Sequence, residues 1–228
     1  MKRLYIASLF FLAATTHAET PANATLSYTI SKGGITIATI EEKLHSNGKT
    51  YTLSSEGKAS GLLALLNRGT ILRTSRGLVT RDGLRPQFFE DQRTGRTTVG
   101  ARLDWDKKQI TLIDDTGKDT KPLPAETQDR LSFPYTFAFR AAPEKEFSMA
   151  MTDGRHLTQY RYLVAGKETL NTPLGKLETI HLVKQRDDAN DTGTELWIAP
   201  AHHHLPVRIL VTEKDGGQLD QLIETITY

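Results

Sequence analysis

Three consecutive histidines, His202, His203 and His204, are the residues whose type most readily suggests chemistry. Imidazole nitrogens ligate transition metals. In an extended strand, however, neighbouring side chains point to opposite faces, so three in a row do not converge on one ion. Pro200 and Pro206 flank the run and predict an exposed loop between two strands. The chain has no Cys, and no Asp or Glu spacing supports the run, so no specific metal site is expected. Asp187-Asp188-Ala189-Asn190-Asp191 offers oxygen ligands but lacks the glycine and closing glutamate of a calcium loop. It reads as a solvated acidic turn. There is no Gly-x-Ser-x-Gly elbow, no glycine-rich phosphate loop and no thiol nucleophile. Neither a catalytic residue nor a cofactor is expected.

A different kind of candidate lies at Ser60–Asn67. Leu62, Leu63, Leu65 and Leu66 make this stretch apolar, unbranched and rich in helix formers. Two readings are open. The leucines form a core-facing helix, as long apolar runs usually do, or they form a lid or lining for an apolar cavity.

The elements that must position such residues are mostly strands. Tyr51, Leu53 and Ser55 alternate with Thr50, Thr52 and Ser54, a period of two. Leu103 and Trp105 alternate with Arg102, Asp104 and Asp106, and Val207, Ile209 and Val211 alternate with Arg208, Leu210 and Thr212. Asn47-Gly48, Arg81-Asp82-Gly83, Asp115-Thr116-Gly117 and Asp215-Gly216-Gly217 are turn signals between these runs. Short strands with turns at such spacing predict a mainly β fold: a single highly curved antiparallel sheet or incomplete β-barrel with one or two short helices. One helix is placed at Gln128–Ala142, capped by Asp129 and broken near Pro134. Leu131, Phe133, Tyr135, Phe137 and Phe139 there also fit a period of two, so a strand stays open. Pro122-Leu123-Pro124 marks a joint between two halves.

The first residues read as an export signal. Met1-Lys2-Arg3 precedes an apolar run from Leu4 to Ala14, and Thr16 and Ala18 stand where a signal peptidase needs small residues. Cleavage after Ala18 is expected, leaving a loose stretch over Glu19–Ala24 and a β domain over residues 25–228. The apolar run is shorter than the roughly 20 residues of a membrane span. No membrane span is therefore expected once the signal is cut. Without Cys there is no thiol to carry a lipid. A soluble periplasmic protein follows. The signal holds two of the 29 basic residues, and the remaining 27 match 27 acidic ones. A neutral domain has no overall field to attract a polyanion, so no nucleic-acid partner is expected.

Several local patterns occur in a definite order. Gln128-Asp129-Arg130-Leu131-Ser132 is followed by Asp153-Gly154 and then Gly166-Lys167-Glu168-Thr169-Leu170. Thr172-Pro173-Leu174-Gly175-Lys176-Leu177-Glu178-Thr179, Leu196-Trp197-Ile198-Ala199-Pro200 and Leu205-Pro206-Val207-Arg208-Ile209 complete the series. This succession resembles DUF3108, a family of exported bacterial proteins of uncharacterised function. The ending also resembles the LolA/LolB-like periplasmic carriers, a likeness at the level of fold. That likeness implies a curved sheet around an apolar cavity, and Leu62, Leu63, Leu65, Leu66 and Trp197 are the candidates to line or cover it. The leading expectation is a non-enzymatic binding or carrier protein of the cell envelope, its partner an apolar ligand or an envelope protein. A structural or interaction module with a filled core is the alternative, and a hydrolase of cell-wall or lipid substrates ranks last. Arg208 is expected to pair with a carboxylate across the strands, such as Glu195. Nothing in the sequence fixes an oligomeric state.

Overall fold

The computed structural model describes residues 21–61, 64, 69–186, 188 and 191–228. Among these residues fifteen strands form one sheet, in the order β8-β7-β6-β5-β4-β3-β2-β1-β15-β14-β13-β12-β11-β10-β9. The strands are β1 (Asn23–Lys32), β2 (Ile35–Ser46), β3 (Thr50–Ala59), β4 (Thr70–Thr80), β5 (Gly83–Arg93), β6 (Val99–Asp104), β7 (Gln109–Asp114) and β8 (Gly117–Pro122). After them come β9 (Gln128–Asp129), β10 (Glu146–Thr152), β11 (Leu157–Thr172), β12 (Gly175–Lys184), β13 (Gly193–Ala199), β14 (Leu205–Thr212) and β15 (Gln218–Thr227). Every neighbouring pair is antiparallel except β9 with β10.

The chain therefore meanders as an up-and-down barrel does, and its two ends meet in the middle of the sheet. Thr25 of β1 pairs with Thr227 of β15. The sheet is not closed, because β8 and β9 stand at its opposite edges. Each edge is a poor template for another strand. All of β8 is exposed, with Lys118, Lys121 and Pro122 in it, and β9 is two residues long. Pro122-Leu123-Pro124 runs between these two edges. The larger core cluster takes side chains from both sides of that joint, among them Leu26, Leu53, Tyr135 and Leu205. β1 begins inside the stretch expected to be loose. Ala24 is buried there because it pairs with Leu44 on β2.

The segment after β9 is the plug of this curved sheet. It forms one helical turn, α1 (Ser132–Tyr135), continued by a 3-10 turn at Thr136–Ala138, and Leu131 to Phe139 are all buried. Helical geometry puts residues four apart on one side. Leu131, Tyr135 and Phe139 belong to the larger core cluster, whereas Phe133 and Phe137 belong to a second, aromatic cluster with Tyr162 and Met149. The alternation in sequence is thus that of a helix buried on two faces, not of a strand. Asp129 still serves the start of the turn, since its Oδ1 accepts the backbone N–H of Leu131 and of Ser132 at 2.9 and 2.8 Å. The helix begins at Ser132, so Pro134 falls in the first turn, where no backbone hydrogen bond is lost. Among the described residues no helix is long and apolar enough to cross a membrane.

Candidate functional site

The inner face of the sheet carries two kinds of ground. Period-two alternation sends Tyr28 and Ile30, Ile40 and Glu42, and Ile71, Arg73 and Ser75 to the same face of their strands. One end of that face packs on the plug. Tyr28 is buried and its OH donates to the carbonyl oxygen of Pro206 at 2.9 Å. The other end does not reach the plug. Ile30, Ile71, Ile209, Val211 and Leu219 stay half-buried and front a chamber of about 650 Å³. A second lobe of about 440 Å³ runs along Phe133, Met151 and Tyr162. The two lobes are adjacent and share Arg73, Arg130, Ile209, Val211 and Gln221 as wall residues. Their size is that of a small-molecule site. Gly57 and the small Ala38 and Ala59 leave room for the larger lobe.

A polar belt lies where the plug meets β2, β3 and β4. Tyr135 donates its OH to Glu42 Oε2 at 2.6 Å, and Ser55 donates to Oε1 at 3.0 Å. Burial pushes the Glu42 pKa up, although these hydroxyls and the charge of Arg73 pull the other way. Ser75 donates to Asp129 Oδ2 at 2.5 Å. Burial raises the Asp129 pKa to about 6 against that bond and the two backbone donors. With its oxygens engaged and no accessible surface, Asp129 holds the plug in place. It is not available to a substrate. Asp91 lies beside this belt. Burial alone would raise its pKa, but Arg93 and Arg73 outweigh burial and hold it down to about 2.

Arg130, the residue between β9 and the plug, fronts both lobes. It is exposed and presents its side chain to the walls of both lobes. Among the described residues its guanidinium makes no hydrogen bond and no ion pair. Burial and the neighbouring Arg73 push its pKa down to about 10, with Asp91 opposing them. Gln221 Nε2, on the same wall, is buried and has no hydrogen-bond partner among the described residues. A third pocket of about 540 Å³ opens at the seam between β8 and β9, under Trp105 and Leu123, and has Asp82 and Glu126 in its wall.

The residues singled out in the sequence fall elsewhere. Leu62, Leu63, Leu65 and Leu66 lie outside the described residues. Trp197, expected at the cavity wall, faces away from Leu196, the β13 residue that fronts the second lobe. Its ring stacks on His181 with centroids 4.2 Å apart and sits under Arg208, and its Nε1 donates to Glu168 Oε2 at 2.7 Å. Arg208 pairs with Asp220 of β15, Nε to Oδ1 at 2.8 Å, and not with Glu195, which instead engages His181 at 2.8 Å. His202 ends a 3-10 turn and meets the Tyr228 hydroxyl at 3.2 Å, while His203 and His204 adopt left-handed backbone. Among the described residues no three potential metal ligands cluster. In the acidic turn, Asp187, Ala189 and Asn190 lie outside the described residues, and Asp191 pairs with Lys184 at 2.8 Å.

The chamber residues carry a sequence signal of their own: a polar residue at a core-parity position. Glu42 stands between Ile40 and Leu44, Asp91 follows Phe89, and Gln221 stands between Leu219 and Ile223. Glu42 and Gln221 each interrupt an otherwise apolar face, as a buried polar cluster does, whereas Asp91 stands behind the wall between Phe89 and Arg93.

Comparison with known proteins agrees with this architecture. A crystal structure of a β-barrel-like protein of the domain of unknown function DUF1849 from Brucella abortus is similar at 8% identity and a TM-score of 0.58, covering 92% of this chain and 98% of that one. At that identity the likeness is one of fold. A candidate lipoprotein from Parabacteroides distasonis aligns over 91% of this chain and 96% of its own, with 9% identity and a TM-score of 0.36, too low to define a shared fold. No curated protein matches the chain. The family described as "Protein of unknown function (DUF3108)" matches residues 27–222, nearly the whole described β domain, and the chain belongs to that family.

Proposed function

We propose that this protein is an exported binding or carrier module of the bacterial envelope that holds an apolar ligand inside its curved sheet. One observation carries the reading. Among the described residues the inner face is only partly filled by the plug, and aliphatic side chains from β1, β4, β14 and β15 front a chamber that no other described side chain occupies. Proteins rarely leave apolar surface unpacked without a use for it. Location rests on the sequence of Met1–Ala18.

The test is native mass spectrometry of the full chain recovered from the envelope fraction, beside titration with a neutral apolar dye. Wild type should carry a small-molecule adduct or take up the dye in a one-to-one ratio. Gly57→Phe should lose both. A Cβ at Gly57 would sit 3.6 Å from Ile40 and 3.8 Å from Ile71, an ordinary contact, so the ring enters the chamber without backbone strain. A wild-type protein without adduct and without dye uptake sinks the reading.

A further inference from the structure

We propose that the chamber takes a single-chain amphiphile with an anionic head, the head held at Arg130 and Gln221 and the chain laid along the aliphatic wall. This rests on the binding reading above and names the ligand class.

Three observations converge. The first is a surplus of donors. Both the Arg130 guanidinium and Gln221 Nε2 are hydrogen-bond donors on one wall, and neither has an acceptor among the described residues. Leaving a buried donor unpaired costs free energy, and Gln221 Nε2 is such a donor, while the exposed Arg130 presents its charge to the same wall. A carboxylate or phosphate ester supplies acceptors to both, and a guanidinium matches either geometry.

The second is the sign of the charge. Lys58, Arg73, Arg93, Arg96 and Arg130 line the larger lobe, and among the described residues no carboxylate does, although Lys58 is paired with Glu56 at 2.8 Å. Asp91 lies behind Arg73 and Arg93 and accepts from both, so one negative charge answers two positive ones. Glu42 and Asp153 face the second lobe only. Asp153 is already engaged by the backbone N–H groups of Arg155 and His156, and Glu42 by two hydroxyls. The third is the wall itself. Ile30, Ile40, Ile71, Val211 and Leu219 would cover a hydrocarbon chain but offer a free inorganic anion nothing.

The site commits to an amphiphile, and the test separates head from chain. The probes are cis-parinaric acid and its methyl ester, which share a chain and differ in charge. Both are titrated by fluorescence into the full chain after delipidation, below the micellar range. Wild type should bind the acid about tenfold or more tightly than the ester, the loss expected for a charge-assisted hydrogen bond. Arg130→Gln should bring the acid to the affinity of the ester and leave the ester unchanged. That variant removes an unpaired cation, so its thermal midpoint should equal or exceed that of wild type. Gly57→Phe should weaken both probes.

Equal binding of acid and ester by wild type overturns the head assignment while leaving the apolar site intact, and this comparison needs no variant to fold. Complete displacement of the acid by millimolar inorganic phosphate would mark a plain anion site and overturns the amphiphile. Failure of wild type to bind either probe overturns both this inference and the reading beneath it.

Discussion

Asp91 answers two guanidinium groups at once. Its Oδ1 and Oδ2 accept from Arg93 at 2.9 Å each, and Oδ2 also accepts from Arg73 at 2.9 Å. The carboxylate is almost wholly buried, while Arg93 keeps about a third of its side-chain surface. Removing one partner of a buried pair strands the other. Asp91→Asn should therefore destabilise the fold by about 2–3 kcal/mol at neutral pH, below the full cost of a buried pair because Arg93 is partly solvated. The pH dependence has a definite sign. The folded carboxyl titrates at about 2, against about 4 in an unfolded chain. Its stabilisation is complete above pH 4 and is lost as pH falls toward 2. Urea denaturation at stepped pH should show the gap between wild type and Asp91→Asn closing through that window. A gap independent of pH would contradict the assignment. Asp129 works in the opposite direction. Its folded pKa of about 6 means that its ionisation, as pH rises through 4 to 6, weakens the fold.

The plug and the chamber wall use the same apolar residue types to different effect. Phe133 is buried, with Tyr162 at 4.8 Å and Phe137 at 5.6 Å between ring centroids. Ile209 fronts the chamber and is only half-buried. Phe133→Ala should cost about 3–4 kcal/mol and Ile209→Ala about 1–2, since the isoleucine lacks partner atoms on its chamber side. Equal costs in chemical denaturation would mean that the chamber collapses onto its wall in solution. The same contrast explains what the sequence disclosed. Hairpins at Asn47-Gly48, Arg81–Gly83, Asp115–Gly117 and Asp215–Gly217 were legible because a turn that needs positive φ selects its residues locally. Strand faces were legible from their period. What was not legible is how far along a face the filling reaches, which depends on a plug from a distant part of the chain. Period alone gives Ile30 the same status as Tyr28, yet one meets the chamber and the other the plug. Trp197 was misplaced for a related reason. It is a candidate for the cavity wall, but alternation with Leu196 and Ile198 turns it to the other face.

At the scale of the molecule, sheet order follows chain order with one join and one break. The join is the β1–β15 pair, which closes a loop of nearly the whole chain, and the break is between β8 and β9, which are neighbours in sequence. Closing a long loop costs more entropy than closing a hairpin, on the order of 2–3 kcal/mol here, and slows folding. A circular permutant moves that cost. Linking Tyr228 to Pro21 through a short glycine-serine bridge makes β15–β1 a local hairpin. New ends between Ala125 and Glu126 fall in exposed backbone at the seam, where Glu126 carries a positive φ of 56°. The cut sacrifices little. The Arg140–Glu126 pair is exposed, and such pairs contribute roughly 0–1 kcal/mol. The Thr127 hydroxyl bond to the Pro124 carbonyl is a local contact that spans the cut. The permutant should keep the wild-type far-UV spectrum and a thermal midpoint within a few degrees, and it should refold faster in stopped-flow measurements. An unfolded permutant would mean that the seam segment anchors the plug and is not a free edge. A wild-type refolding rate would place the slow step in docking the plug, whose contacts with β2 and β4 stay distant in either chain order.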